Sequence, residues 1–323
     1  MTLDSNITVF SGDIDSNATG RFFSEKFFLL KRADSRDFIN DLLQLCVSEK
    51  VDIILPLVTK ELFKLSKNKK KFQDKKIKVI VSDFNALSIA NNKGLLYEHL
   101  SKNGISLPSY KIVKTKEELT SFSKDLGYPK KKIVVKPCIS NGSRGVRILD
   151  ASYDNYYSLF NNKPSSLITN LEDYLKILGN KKFPDLILSE YLPGEELTID
   201  TLVNDGNIYR LLIRTRNQIR SGISISGKFV KDSNVEKYVR DIIKNIKGLN
   251  GPIGFQLKKS KSKGYLLLES NPRLQGTSIA SHGLGLNFPL EAVELSRGQK
   301  PIKIITKQNI AFSRYYEEIF YEY

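Results

Sequence analysis

The sequence predicts a mixed α/β and α+β protein that opens with a small parallel α/β unit, and three observations predict it. Short apolar runs alternate with helix-period stretches from Ile7 to about Lys111, a pattern of parallel strands joined by crossover helices. Further along, strands succeed one another through turn signals such as Asn204-Asp205-Gly206-Asn207, which favours antiparallel hairpins. Near the C-terminus two apolar runs separated by Ser, Lys and Gly read as one more hairpin, carrying polar residues at its end.

In the N-terminal stretch, Ile7 to Phe10 and Phe27 to Leu30 read as strands. Ser35 to Glu49 has helical spacing at Phe38, Leu42, Leu43 and Cys46, with Ser35 as the expected N-cap. Val51 to Leu57 reads as a buried strand, Thr59 to Asn68 as a helix, Lys78 to Val81 as a strand and Asn85 to Asn103 as a helix. The first strand runs into Gly12-Asp13 without a G-x-G-x-x-G turn, so dinucleotide binding by this unit is not expected.

The most informative stretch is Tyr265-Leu266-Leu267-Leu268-Glu269-Ser270-Asn271-Pro272-Arg273. Residues i and i+2 of a strand share a face, so Glu269 and Asn271 point the same way. With a turn at Lys261 to Gly264, Gln256 of the preceding run falls opposite Glu269, and directly paired side chains sit roughly 5 Å apart. Gln256, Glu269 and Asn271 then offer an all-oxygen set suited to a hard cation such as Mg2+. Arg273 stands beside it, where an anion would also be drawn. A half-buried hairpin with polar residues at its rim fits the same pattern.

Upstream, Ile133 to Val135 deliver Lys136, and a loop containing Ser140, Gly142, Ser143, Arg144 and Gly145 follows before a strand resumes at Val146. The glycines let backbone N–H groups line a tight concavity, a common cradle for phosphate; an ordinary glycine-containing hairpin is the alternative. This is not a Walker A sequence, because the lysine precedes the loop and no GK[ST] helix follows. Leu186 to Leu192 reads as a strand running into Pro193-Gly194-Glu195-Glu196, whose acids suit ribose hydroxyls or a plain exposed turn. Arg210, Arg214 and Arg216 share strand parity, and Arg is suited to bidentate grips on carboxylate or phosphate. A surface ion pair is the competing assignment for Arg214 or Arg216. Gly222 to Gly227 reads as a mobile loop, Asn234 to Lys247 and Pro289 to Arg297 as helices, and Ile302 to Ile305 and Ile310 to Phe320 as closing strands.

Composition removes several function classes. With 323 residues the chain is long enough for two or three packed units. No apolar run approaches the ~20 residues of a membrane span, and Met1 to Asp15 lacks the apolar core of a secretory signal. Two cysteines, Cys46 and Cys138, point away from a disulfide framework and toward a reducing cytoplasm. His99 and His282, with no Cys or second His nearby, argue against zinc and are expected to be structural. The net charge of +16 is mostly lysine in runs without interleaved aromatics. That is expected of a solvated surface rather than of a nucleic-acid partner.

Taken together these segments resemble the ATP-grasp superfamily, and within it ligases related to the carbamoyl-phosphate synthase large chain and to the pyrrolysine-biosynthesis ligase. The resemblance spans nearly the whole chain. Asn92-Lys93 is similar to the first nucleotide lysine, Val134-Val135-Lys136-Pro137 with Gly142-Ser143-Arg144-Gly145 to the second lysine and phosphate lid, and Ser189-Glu190-Tyr191-Leu192-Pro193-Gly194-Glu195-Glu196 to the adenine hinge. It implies two α+β subdomains clasping ATP, after a shortened N-terminal α/β domain, with domains at 1–110, 111–190 and 191–323. It implies further that Glu190 and the Leu192 backbone meet the base, Glu196 the ribose, and Lys93, Lys136, Ser140, Gly142, Ser143 and Gly145 the phosphates. Gln256, Glu269 and Asn271 would hold Mg2+ or Mn2+, while Arg273, Arg214 and Arg216 would hold the substrate carboxylate and the migrating phosphoryl group.

Two departures bear on function: no glycine-rich turn and helix follow the first strand, and there is one grasp unit where a complete carbamoyl-phosphate synthase chain has two. Carbamoyl phosphate synthesis by this chain alone is therefore not expected. The activity implied is ADP-forming ligation of a small-molecule carboxylate to an amine through an acylphosphate. A bicarbonate- or carbamate-phosphorylating enzyme and a non-catalytic ATP-binding module are the alternatives. Neither a membrane nor a nucleic acid is an expected partner, and a homodimer is compatible with the sequence.

Overall fold

The computed structural model describes residues 7–140, 142–162, 167–220, 222–301 and 309–322. Two compact units divide the chain, the first ending at Val81 and the second beginning at Ser82.

The first unit holds two parallel strand pairs. Strands β1 (Phe10–Asp13) and β2 (Lys26–Leu29) pair from Phe10 opposite Lys26 to Asp13 opposite Leu29. Between them lies one 3-10 turn, Thr19–Phe23, in place of a crossover helix, as the missing glycine-rich turn implied. Helix α1 (Phe38–Ser48) starts later than expected: Asp37 precedes it, and Ser35 Oγ instead accepts from the Asp37 N–H. Strand β3 (Ile53–Ile54), helices α2 (Thr59–Lys67) and α3 (Lys69–Gln73), and strand β4 (Lys78–Val79) complete the unit, with β3 and β4 parallel. Phe38, Cys46, Leu62, Leu65 and Phe72 are buried in it.

The second unit opens with α4 (Phe84–Ala90) and α5 (Lys93–Lys102). These replace the single helix expected from Asn85 to Asn103. The break is chemical: Asn92 leaves the helical region and its side chain accepts from the Gly94 and Leu95 N–H groups, capping α5. A five-stranded sheet follows, built from β5 (Tyr110–Val113), β6 (Ile133–Pro137), β7 (Arg147–Leu149), β8 (Ile168–Thr169) and β9 (Leu186–Glu190) in the order β5-β9-β6-β7-β8. Helices α6 (Lys116–Asp125), α7 (Asn155–Asn161) and α8 (Leu171–Leu178) connect them. Helix α6 begins on a capping box, Thr115 with Glu118.

The remaining strands, β10 (Glu196–Asn204), β11 (Asn207–Thr215), β12 (Gln218–Arg220), β13 (Ile223–Val230), β14 (Gly251–Lys259), β15 (Tyr265–Asn271) and β16 (Ala311–Ser313), form a seven-stranded sheet ordered β12-β13-β11-β10-β14-β15, with β16 beside β13. Helices α9 (Ser233–Asn245) and α10 (Phe288–Ser296) accompany it. Residues 223–227, expected as a mobile loop, belong to β13; Ile-Ser alternation there suits a strand, and Gly227 pairs Phe312 of β16. Within Ile310 to Phe320 the strand is confined to Ala311–Ser313, while Ile302 to Ile305 lie outside the described residues.

Alternation gives this sheet two chemically different faces. Leu197, Ile199 and Val203 of β10, Ile213 of β11, Ile253, Phe255 and Leu257 of β14 and Leu267 of β15 face one core. Val235, Val239, Ile242 and Ile243 of α9 and Ala86, Ala90, Leu96 and Leu100 of α4 and α5 fill that core. Each buried Val, Leu, Ile or Phe among them contributes about 1.5–3 kcal/mol relative to exposure. The α4–α5 pair thus packs on the C-terminal sheet and not within the N-terminal unit. The opposite face carries Glu196, Thr198, Asp200, Gln256 and Glu269, and that face is where the chemistry gathers.

Asn92→Ala removes the α5 cap and is expected to lower unfolding free energy by about 1 kcal/mol in urea titration, with an unchanged slope. An unchanged midpoint would mean that packing alone starts this helix.

Candidate nucleotide site

Across four neighbouring strands the register places Arg214, Thr198, Gln256 and Glu269 in one row. In the adjoining row lie Asp200, Gly254 and Asn271. Gln256 opposite Glu269 is the pairing expected from sequence, but it is reached by a different route. Next to the turn the strands pair as Lys259 with Tyr265 and Leu257 with Leu267, one residue out of the expected register. A β-bulge at Leu268 then restores it. Without the bulge Leu267 and Glu269 would share a face; with it Leu267 stays in the core and Glu269 turns to the polar side.

Glu269 meets its partners there. Lys93 Nζ lies 3.2 Å from Glu269 Oε2, and Asn271 Nδ2 donates to Glu269 Oε1 at 3.3 Å. Lys93 is the first residue of α5, where its own N–H donates to the Cys138 carbonyl at 2.8 Å. Its Nζ also donates to the Ser140 carbonyl at 3.1 Å and lies 3.5 Å from Ser140 Oγ. Burial would raise the Glu269 carboxyl, but the charges of Lys93 and Lys136, with the Asn271 bond, outweigh it and hold the group below the usual carboxylate range. Burial pushes the Lys136 ammonium down, partly opposed by Glu269 and reinforced by Lys93. Arg273 is likewise lowered by burial and supported by Glu269; its Nη1 donates to the Leu274 carbonyl at 2.7 Å.

The turn after β6 has left-handed backbone at Gly142, Ser143 and Gly145. Gly145 has a second reason to be glycine, because a Cβ there would lie 2.6 Å from Pro137 Cγ. Glu190 ends β9, and its Oε1 accepts from the Ser109 N–H at 2.8 Å. The Leu192 side chain is buried. Glu196 Oε1 faces Arg216 Nε at 3.0 Å and Oε2 faces Lys258 Nζ at 3.6 Å.

The arginines differ from expectation. Arg214 and Arg216 share the polar face, yet both are committed to carboxylates of the protein itself. Arg214 is fully buried, with Nη2 2.6 Å and Nε 2.9 Å from Asp200 Oδ2. Asp200 Oδ1 also accepts from Ser278 Oγ at 2.8 Å and from Gln275 Nε2 at 3.2 Å. Arg210 makes a two-pronged grip on Glu291 of α10, at 2.8 to 3.1 Å.

Comparison with known proteins bears on the domains and the fold. Residues 182–318 match the family model described as ATP-grasp in the biosynthetic pathway with Ter operon. The chain carries an ATP-grasp domain. Residues 2–80 match the PylC-like N-terminal domain, coinciding with the first compact unit. Among curated proteins the chain is 23% identical over 232 residues to the arginine-specific carbamoyl phosphate synthase large chain of Bacillus subtilis, covering 69% of this chain and 20% of that one. It thus spans about one fifth of the length of that relative. Among solved structures it resembles the biotin carboxylase domain of Hydrogenobacter thermophilus 2-oxoglutarate carboxylase, determined with MgADP, ADP and bicarbonate (TM-score 0.68, 16% identity, 92% of this chain and 66% of that chain). It also resembles the L-amino acid ligase of Bacillus licheniformis (TM-score 0.60, 18% identity, 84% and 63%).

Within the ATP-grasp domain the structure adds residues that sequence reasoning missed. Asp200 and Thr198 follow Glu196 at strand parity, so the alternation Glu196-Leu197-Thr198-Ile199-Asp200 already marked a polar face. Lys258 shares parity with Gln256 in the same way. Gln275 and Ser278 carry no such signal, because they reach Asp200 from outside the strands, Gln275 from an irregular stretch and Ser278 from the start of the 3-10 turn Ser278–Leu284.

Arg214→Leu leaves Asp200 buried without its cation and is expected to cost about 3–5 kcal/mol in denaturant unfolding. The double variant Arg214→Leu/Asp200→Leu should recover most of that loss; a double variant no better than the single one would contradict the pairing. Glu269, held below its ordinary value, contributes stability above about pH 4.3 that is lost as pH falls through its lower folded value. The stability gap between wild type and Glu269→Gln should therefore shrink between pH 7 and pH 3, and a constant gap would contradict the charge environment described.

Proposed function

We propose that the chain is an ATP-dependent, ADP-forming ligase that joins a small-molecule carboxylate to an amine. The observation that carries this reading is the convergence of Lys93, Lys136 and Arg273 on the Glu269 face, where cations outnumber the carboxylate they surround. Such a cluster favours an incoming polyanion, since fixed charges in a desolvated site interact more strongly than in water. In the proposed reaction a carboxylate oxygen of the substrate attacks the γ-phosphorus of ATP, and the bond to the ADP oxygen breaks. The amine nitrogen then attacks the acyl carbon of the acylphosphate, phosphate leaves with the C–O bonding pair, and the nitrogen loses a proton to water.

The residues divide this work. Lys93 and Lys136 neutralise the phosphates, and the backbone N–H groups from Gly142 to Gly145 line the turn against them. In this reading Glu190 and the Leu192 backbone meet the base and Glu196 the ribose. Arg273 holds the reacting carboxylate, while Arg214 braces the strand beneath it through Asp200. Gln256, Glu269 and Asn271 fit Mg2+: one carboxylate and two amides give an oxygen-only donor set on adjoining register positions, with room in the coordination shell for phosphate oxygens. When bound, the ion would offset charge on the phosphates. Cys46 and Cys138 are buried free thiols, which supports a reducing cytoplasmic setting. No helix among the described residues is long and apolar enough to cross a membrane.

Kinship with carbamoyl phosphate synthase large chains, and the bicarbonate in a structural neighbour, support a second reading in which bicarbonate is the phosphorylated acid. Release of ADP and phosphate, screened against amino-acid, peptide and sugar-acid pools with and without amines, separates the two. The ligase reading expects turnover that needs an organic acid; turnover with bicarbonate alone favours the second. Lys136→Ala and Glu269→Ala are each expected to lower kcat by about 10²-fold or more. If Glu269→Ala altered ATP affinity alone in a protein that never turns over, the chain would be a nucleotide-binding module.

A further inference from the structure

Arg216 lies just past β11 with its side chain buried, and its guanidinium spreads over three separate partners. Nε faces Glu196 Oε1 at 3.0 Å, Nη1 donates to Thr198 Oγ1 at 3.1 Å, and Nη2 donates to the Gly222 carbonyl at 2.8 Å. Its backbone N–H donates to the Glu196 carbonyl at 3.1 Å, so the stem is pinned as well. Nη1 and Nη2 are thus hydrogen-bonded within the protein, while Nε meets Glu196 as an ion pair without a hydrogen bond.

The far end of this link touches a second loop. Gly222 has left-handed backbone, and a Cβ built on it would lie 2.6 Å from Ser143 Oγ. Gly222, just ahead of β13, therefore rests directly on the turn at Gly142 to Val146. Ser143 is itself left-handed, and its carbonyl accepts from the Val146 N–H at 3.2 Å, which keeps that turn tight. A continuous run of contacts passes from Glu196 through Arg216 and Gly222 to Ser143. Its two ends are the residues placed above at the ribose and at the phosphates.

We propose that Arg216 is a positioning residue that couples the ribose-side carboxylate Glu196 to the phosphate-side turn at Ser143 by way of Gly222. The coupling rests on the nucleotide reading of this site, whereas the contacts themselves do not. A planar fork suits these partners, because its nitrogens stand apart in one plane, whereas the three N–H donors of an ammonium radiate from a single nitrogen and would need the carboxylate, hydroxyl and carbonyl gathered around one point. With the fork in place both turns are registered before nucleotide arrives, and ordering them then costs the binding step less.

Arg216→Lys keeps the charge and removes the fork, which makes it the informative variant. Loss of a charge-assisted bond predicts an ATP dissociation constant raised about tenfold. Arg144 and Arg220 flank the contact and provide a readout independent of nucleotide: limited trypsin digestion of the full chain without ATP, mapped by mass spectrometry. Arg216→Lys should speed cleavage after both arginines together, with unchanged cleavage elsewhere. Ser143→Gly, compatible with the left-handed backbone there, removes only the Oγ against Gly222 and should speed cleavage at the same two sites with less effect on ATP. It serves as the second variant should the first unfold. Wild-type cleavage rates at both sites in a folded variant, or a change confined to Arg220, would overturn the coupling. If wild type bound no ATP while the two cleavages still rose together, the nucleotide reading would fail and the mechanical link would stand.

Discussion

The structure turns on keeping one carboxylate charged at the end of an apolar strand. Glu269 follows three leucines into the protein, where desolvation alone would favour its neutral form. Lys93 and Lys136, delivered from α5 and β6, reverse that preference. The arrangement leaves two cations around one anion, so the site keeps an excess of positive charge. The bulge at Leu268 makes this possible, because it moves Glu269 off the core face without disturbing Leu267. Those few residues join the sheet's packing to its chemistry.

Everything else serves to hold those groups still. One face of the seven-stranded sheet is closed by α9 and the α4–α5 pair, so the opposite face is presented by a backbone that cannot easily shift. Helix α5 takes part in both layers: Leu96 and Leu100 face the core, while Lys93 at its first position reaches the site. Pairs between charged residues of the protein absorb Arg210, Arg214 and Arg216. Arg214 with Asp200 and Arg210 with Glu291 brace strands and α10, and Arg216 bridges turns.

Much of this was legible in the chain because strand parity is a reliable carrier of face. Glu269 and Asn271, Gln256 opposite them, and Lys136 before a glycine-containing turn all followed from spacing. The break inside 85–103 was not seen, because both halves keep helical periodicity and only Asn92, a capping residue, marks the join. Gly222 to Gly227 looked like a loop because two glycines frame it, yet the alternating Ile and Ser between them make a strand. The fate of Arg214 depended on Asp200, fourteen positions away, and pairing across strands is set by register that local sequence does not encode. The correct Gln256–Glu269 pairing arose from a turn and a bulge whose effects on register compensate.

In the proposed function ATP and a divalent ion meet on the Glu269 face. The most direct measurement is a crystal structure of the chain with a non-hydrolysable ATP analogue and Mn2+ as an anomalous reporter for Mg2+. An anomalous peak is expected at the Glu269 carboxylate, shared with the Gln256 and Asn271 side-chain oxygens, with the triphosphate against Lys93 and Lys136. A nucleotide bound elsewhere, or a peak away from Glu269, would contradict it.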